Sequence, residues 1–385
     1  MEVIFLLGVA QAFFLSFLIV SKKRKSTGDY ILGSWMAFIG LHLLNYYFHS
    51  TGFLMKHPHL LGIGFCFPML QGPFMFVYVL VMTNKTSRFK PAYWLHTLPF
   101  LLFTIYFLFD FYFLSGPEKV AYYQSQSTNP NPVIKAGGFL NVFLGPAYVI
   151  WSLFKLRRHT KNISEQFSYT ERINLNWLKY VLAGLGFVWV TVLAVSTLSD
   201  FYPLILVEWG DHSIYLALTV AVFFLGFFGL KQKSIYVNMP DSGKMREVVA
   251  SKIEKKQKEK ERYKHSGLKE NEAKEHLKLL LQYMQNEKPY LNGKLSLKEV
   301  AEYLDVSTNH LSQITNEQLG KNFFDFVNSY RVEEVKSRLS DPESEQFTLL
   351  AIAYDSGFNS KSSFNSIFKK FTSLTPSQYM KAKTG

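Results

Sequence analysis

Apolar residues are distributed in two different ways along this chain. Up to about Leu230 they form long, nearly unbroken runs; beyond it they recur at helical spacing among polar residues. The runs are Val3 to Val20, Tyr30 to Tyr47, Leu60 to Met82, Trp94 to Leu114, Gly138 to Leu156, Trp177 to Leu198 and Ile214 to Leu230. Each has about the length needed to cross the hydrocarbon core of a bilayer. An open strand in lipid would leave its amides unpaired, so the runs predict seven transmembrane helices.

The second half predicts an all-helical module. Leu277, Leu280, Leu281 and Met284 mark an amphipathic helix, for which Asn271 is a candidate N-cap, and Lys288-Pro289 ends it. Ser296-Leu-Lys-Glu299 is a capping box opening a helix with Val300, Ala301 and Leu304 on one face; a turn at Asp305-Val306 follows, and Ser307 caps a second helix bearing Leu311 and Ile314. The same succession returns 52 to 53 residues later. Thr348 caps a helix with Leu349, Ile352 and Ala353, Gly357 makes the tight turn before Phe358, and Ser360 caps a helix with Phe364, Ile367, Phe368 and Phe371. Helix, short turn, helix is the architecture of a DNA reader. Thr375-Pro376-Ser-Gln378 starts a closing helix. Between the repeats, Phe323 to Leu339 reads as one helix of roughly 25 Å, on the scale needed to hold two recognition helices in successive major grooves.

Residues from about Glu272 to Lys383 resemble the DNA-binding domain of AraC-type transcription regulators. The resemblance is carried by "LSLKEVAEYLDVSTNHLSQI", "FFDFVNSYRVEEVKSRL" and "IAYDSGFNSKSSFNSIFKKFTSLTPSQY", and it covers about the last third of the chain. Ser373 stands where that family usually has glycine, which implies a somewhat different turn, and Met380 stands where arginine is common, which implies a missing phosphate contact. The resemblance implies double-stranded promoter DNA as the partner, with dimerisation or paired sites. RNA polymerase is a further partner open to such a regulator.

Charge adds orientation and a tension. Loops after the first, third and fifth runs hold twelve Lys and Arg, among them Lys22, Lys23, Arg24, Lys25, Lys85, Arg88 and Arg172; the alternate loops hold three, Lys56, Lys119 and Lys135. Positive loops stay cytoplasmic, so the amino terminus is expected outside and the carboxyl half inside, in a bacterial inner membrane. Glu2 and the basic residues following the first run argue for an uncleaved anchor rather than a secretory signal. The chain as a whole carries +13, yet residues 286–385 hold twelve basic and twelve acidic side chains. Nucleic-acid readers are commonly basic, so this neutrality keeps a protein-binding adaptor open as an alternative.

The expected domains are thus a sensor bundle over residues 1–230, a charged linker over 231–270 with eight basic against four acidic residues in Met245 to Lys264, and the reader over 271–385. The outer loops are short, so any ligand, unidentified here, must be read by the bundle itself. Pro68, Pro73, Pro99 and Pro146 could bend helices around a cavity. Asp110, Asp200, Glu208 and Asp211 lie toward the outer side, where solvated loop charges are the simpler reading than an attractor for a cationic ligand. His49, His57 and His59 lack the carboxylate or thiol partners of a firm metal site, His42 and His96 suit hydrogen-bonded helix positions, and the lone Cys66 suits a buried small residue. No metal, cofactor or catalytic group is expected, and a membrane enzyme or transporter with a regulatory tail is the least favoured alternative.

Subtracting the core faces leaves candidate DNA contacts. On the first recognition helix these are Thr308, Asn309, His310, Ser312, Gln313 and Asn316; on the second, Ser360, Lys361, Ser362, Asn365, Ser366 and Lys369. Asn309 and Gln313 carry amides that pair with adenine edges, and Lys361 suits guanine or phosphate.

Overall fold

The computed structural model describes the chain apart from residues 24, 85–88, 127–130, 172–173, 202, 232–269, 345 and 385; for residues 199–201, 203–209, 228–231, 270–271, 344 and 383–384 it describes the backbone only. The charged linker therefore lies outside the described residues, as do Arg24, Lys85, Arg88 and Arg172 of the basic loops and the side chains of Asp200 and Glu208. The chain is all-α, and it divides into two compact units: Met1–Arg158 with Leu175–Val237, and His159–Asn174 with Asn238–Gly385.

Besides the single turn Phe53–Lys56, the first unit comprises α1 (Glu2–Val20), α2 (Thr27–Ser50), α3 (Pro68–Thr83), α4 (Leu98–Phe107), the short α5 (Gly116–Ser125), α6 (Pro132–Gln166), α7 (Asn176–Phe201) and α8 (Pro203–Lys231), α6 continuing past Arg158 into the second. A 3-10 turn, Pro91–Thr97, precedes α4 and a π turn, Leu108–Tyr112, follows it. Among the described residues six helical stretches are long and apolar enough to cross a membrane: Glu2–Val20, Thr27–Ser50, Pro91–Tyr112, Pro132–Gln166, Asn176–Leu198 and Gly210–Phe227. This amino-terminal region is thus a multi-pass membrane region.

The third expected span behaves differently. Leu60 to Met82 was expected to be one helix, but α3 begins only at Pro68 and is 16 residues long, about 24 Å. Gly62 sits at φ +90, a left-handed conformation incompatible with helix, and Pro68 occupies the first helical position, where its missing N–H costs nothing. Apolar content alone did not reveal that break.

The interior of this unit is mostly one large apolar cluster from several helices, including Ala12, Ile19, Trp35, Met36, Leu43, Val79, Leu182 and Val222, beside a smaller one of Leu54, Leu61, Cys66, Phe107 and Phe111. The outward faces remain apolar too, as with Phe17, Phe109, Phe139 and Phe187. A helix hydrophobic all round is what a bilayer requires.

The second unit holds α9 (Glu270–Asn286), α10 (Leu297–Tyr303), α11 (Thr308–Gln318), α12 (Phe323–Arg338), α13 (Leu349–Asp355), α14 (Lys361–Thr372) and α15 (Pro376–Thr384). Helix α9 starts at Glu270, so Asn271 lies inside it rather than capping it. Two cores flank α12. Leu280, Met284, Val300, Leu311, Phe326 and Val327 pack on one side, and Val332, Val335, Ile352, Phe364, Ile367 and Phe368 on the other. Each helix-turn-helix thus has its own core, and α12 belongs to both.

Candidate nucleic-acid interface

Each recognition helix is fixed at its start by a hydroxyl cap. Ser307 Oγ accepts the His310 N–H at 3.1 Å, and Ser360 Oγ accepts the Ser363 N–H at 3.1 Å. The preceding helices begin the same way: Ser296 and Glu299 form the full capping box, and Thr348 accepts the Ala351 N–H at 3.2 Å. Such caps satisfy amides that the helix itself leaves unpaired. The closing helix repeats the device, Gln378 Oε1 accepting from the Thr375 N–H at 2.9 Å and its hydroxyl at 2.8 Å.

The two turns are equivalent. Val306 N–H donates to Ala301 O at 3.0 Å, and Phe358 N–H donates to Ala353 O at 3.1 Å. The residue before each donor is left-handed, Asp305 at φ 52 and Gly357 at φ 91. At Ser373 the backbone is also left-handed, at φ 63, so the turn that serine was expected to alter is held in the conformation glycine adopts freely.

The polar faces of α11 and α14 stay clear of these cores. Thr308, Asn309, Gln313 and Asn316 are exposed, while His310 and Ser312 are half-buried. Gln313 Nε2 donates to Glu317 Oε2 at 2.9 Å, and Asn316 Nδ2 donates to Ser312 O at 2.8 Å, so two amides are held within the helix face. On α14, Lys361, Ser362, Asn365, Ser366 and Lys369 are exposed beside buried Phe364, Ile367 and Phe368; Ser360, at its start, is half-buried. Neighbouring Lys370 is committed elsewhere, 2.6 Å from Asp325.

One buried charge holds the unit together. Arg331, 1% exposed, uses its guanidinium on five oxygens: Tyr290 O at 2.8 Å, Asn292 O at 2.8 Å, Asn328 Oδ1 at 3.2 Å, Ser168 O at 3.1 Å and Ser168 Oγ at 3.1 Å. Burial pushes its pKa down to about 10, which still leaves it charged at neutral pH. In the sequence, Arg331 is marked only by its spacing, because Val327, Arg331 and Val335 share one stripe of α12. Glu334 on the same helix accepts from Lys288 Nζ at 3.1 Å, Tyr290 OH at 3.0 Å and Arg338 Nε at 3.0 Å. Partial burial raises its pKa, but these hydrogen bonds outweigh that and leave it below the usual carboxylate range. Burial and the bond to Glu334 push Tyr290 up to about 12.

The first unit encloses a second candidate site. Trp35 Nε1 donates to Gln71 Oε1 at 2.9 Å, Gln71 Nε2 lies 3.2 Å from His42 Nδ1, and His42 Nε2 lies 3.1 Å from Tyr215 OH. These residues, with Asp211 and Asn141, line a cavity of about 210 Å³. His96 bonds Tyr148 at 3.2 Å, and Cys66 is buried, both in keeping with their sequence reading. His49 bonds Tyr123 OH at 2.7 Å, the His57 ring packs on Phe53, and Asp110 accepts from Tyr122 OH.

Comparison with known proteins bears on the second unit. Residues 300–382 match the family model of a helix-turn-helix domain. An uncharacterised HTH-type transcriptional regulator of Staphylococcus aureus (strain COL) is 42% identical over 90 residues, which are 23% of this chain and 12% of that protein. The melibiose operon regulatory protein of Escherichia coli (strain K12) is 30% identical over 87 residues, 23% of this chain and 28% of its own. The chain thus spans about one-eighth of the length of the first of these relatives. No solved structure matches. The carboxyl-terminal unit is a helix-turn-helix domain of the kind found in transcriptional regulators, joined to a region of membrane-length helices. These relatives are named as regulators, not enzymes, which agrees with the non-enzymatic reading.

Proposed function

We propose that this chain is a membrane-anchored, sequence-specific transcription regulator whose AraC-type tandem reader grips double-stranded promoter DNA. The observation that carries the reading is the pair of equivalent helix-turn-helix units, each with a capped second helix that turns a polar face away from its core. Amides on α11 read bases and lysines on α14 hold the backbone. Under this reading the membrane region crosses seven times, α3 counting as a short span, with the amino terminus outside and the reader in the bacterial cytoplasm. The cavity around His42, Gln71 and Tyr215 is the place where a cue would act, through different affinity for two bundle states. Homodimerisation would pair two readers on adjacent sites, and RNA polymerase would be the downstream partner.

The test is duplex binding by the full chain in lipid nanodiscs as a function of salt. Phosphate contacts release counterions, so the logarithm of affinity should fall with the logarithm of salt by about 0.9 per contact. A flat salt response with retained protein partners would instead favour the adaptor reading, which the equal charge count of residues 286–385 supports. If Asn309→Ala with Lys361→Ala leaves genomic occupancy unchanged, the assigned reading surfaces are wrong.

A further inference from the structure

The second unit contains a segment that begins in the polar end of α6 and runs toward α7. His159–Asn174 lies in the chain between the apolar stretches of α6 and α7, yet it packs with the reader. Its attachment has two parts.

The first is an anchor at Ser168. This residue is buried, its N–H and hydroxyl both donate to Leu295 O, at 3.2 and 2.6 Å, and Phe167 forms an antiparallel bridge with Ser296. Ser168 O accepts from Asn328 Nδ2 and Arg331 Nη1 at 3.1 Å each, and Ser168 Oγ accepts from Arg331 Nη2 at 3.1 Å. Two of the five guanidinium bonds of Arg331 thus end on a residue 163 positions away in sequence. Leaving them unmade is costly in a buried site, so the docked segment is part of the packing around Arg331.

The second part is a latch at Glu171. Its Oε1 accepts from Ser360 Oγ at 2.6 Å and Ser362 Oγ at 2.7 Å, at the amino end of α14. A carboxylate at a helix amino terminus, held by hydroxyls, satisfies the same donors that a phosphate oxygen would use. Ser360 and Ser362 are among the residues assigned above to the DNA-facing surface.

We infer that the segment His159–Asn174 is an intramolecular brake: docked through Ser168, it sets Glu171 on Ser360 and Ser362, and a DNA backbone phosphate must displace that carboxylate to engage α14. The inference rests on the reading of α14 as DNA-facing. Because the segment is covalently continuous with α6 and α7, a change in the bundle that favours the undocked segment would release the reader, and by linkage DNA would favour undocking.

Two measurements on the full chain in nanodiscs test it. Glu171→Cys with Ser362→Cys, in a Cys66→Ser background, should be joined by a short bis-methanethiosulfonate crosslinker without DNA, and an excess of mixed-sequence duplex should suppress the crosslink. Glu171→Gln, which keeps the side-chain shape and the Ser168 anchor, should bind a fluorescent mixed-sequence duplex about tenfold more tightly than the parent, the scale of losing charge-assisted hydrogen bonds. Failure of the crosslink, while each cysteine alone is labelled by a monofunctional methanethiosulfonate, overturns the docking. Parent-like binding by Glu171→Gln, when Lys361→Ala binds more weakly, overturns the brake and leaves DNA reading intact. A crosslink that forms while no variant binds duplex removes the DNA-facing reading and, with it, the competition.

Discussion

The two helix-turn-helix units share a plan and differ in what surrounds it. The first unit makes its turn at Asp305, a residue that tolerates the left-handed region through its short polar side chain, and the second at Gly357. The difference follows from crowding. A Cβ at Gly357 would lie 2.3 Å from Tyr290 O and 2.9 Å from Arg331 Nε, because the turn before the first unit is pressed against the turn of the second. The recognition helices diverge as well. Helix α11 presents amides and hydroxyls and no lysine, whereas α14 presents Lys361 and Lys369 together with the two serines held by Glu171. Under the proposed function, the first helix-turn-helix would discriminate bases, and the second would supply electrostatic grip and the contact that Glu171 regulates.

The largest test of that asymmetry is structural. Gly357→Ala should destabilise the second unit by more than about 3 kcal/mol, from left-handed strain and the carbonyl clash together. Asp305→Gly, at the matching turn, should change stability by no more than about 1 kcal/mol. Thermal melts of the two variants measure this directly, and equal losses would erase the distinction. Arg331→Leu should cost about 3–5 kcal/mol and Arg331→Lys should not restore it, because an ammonium lacks the planar five-donor fork.

A smaller effect separates the roles in binding. Lys361→Ala or Lys369→Ala should weaken duplex binding across all sequences and lower the salt slope by about 1. Asn309→Ala or Gln313→Ala should leave that slope unchanged and relax base preference at one position by about 1–3 kcal/mol. Binding-site selection at two salt concentrations checks both, and a lysine variant that changes sequence preference alone would reverse the assignment.

The smallest effect concerns pH. Glu334 has a lowered pKa in the folded chain, so its contribution to stability is present above the ordinary glutamate range and is lost as pH falls through the lowered value. Glu334→Gln should therefore lower stability at neutral and alkaline pH, flatten the fall on the acid side and converge on the parent at low pH. Denaturant melts across acid pH read the difference.

Local rules made much of the second unit legible. Ser296, Ser307, Thr348, Ser360 and Thr375 announce helix starts because a cap needs only a hydroxyl and amides within a few residues. Helix α12, expected over Phe323 to Leu339, spans Phe323–Arg338. In the membrane region, hydropathy located apolar segments but missed the break before Pro68, where a left-handed glycine and a proline act on a single turn. Of the candidate contacts, the outward face of α14 could be found by subtracting its apolar stripe. Engagement of Ser360 and Ser362 could not.

What the sequence by itself determined is what short-range physics controls: periodicity, caps, turns and the division between apolar and polar halves. The tertiary structure alone decided which distant groups meet. Nothing around Ser168 or Glu171 distinguishes them from other loop residues, yet folding brings them to Arg331 and to Ser360, separated by 163 and 189 positions along the chain. Hydrogen bonds of that range follow from where packed helices place a loop, and a hydrogen bond has no periodicity to leave in the sequence.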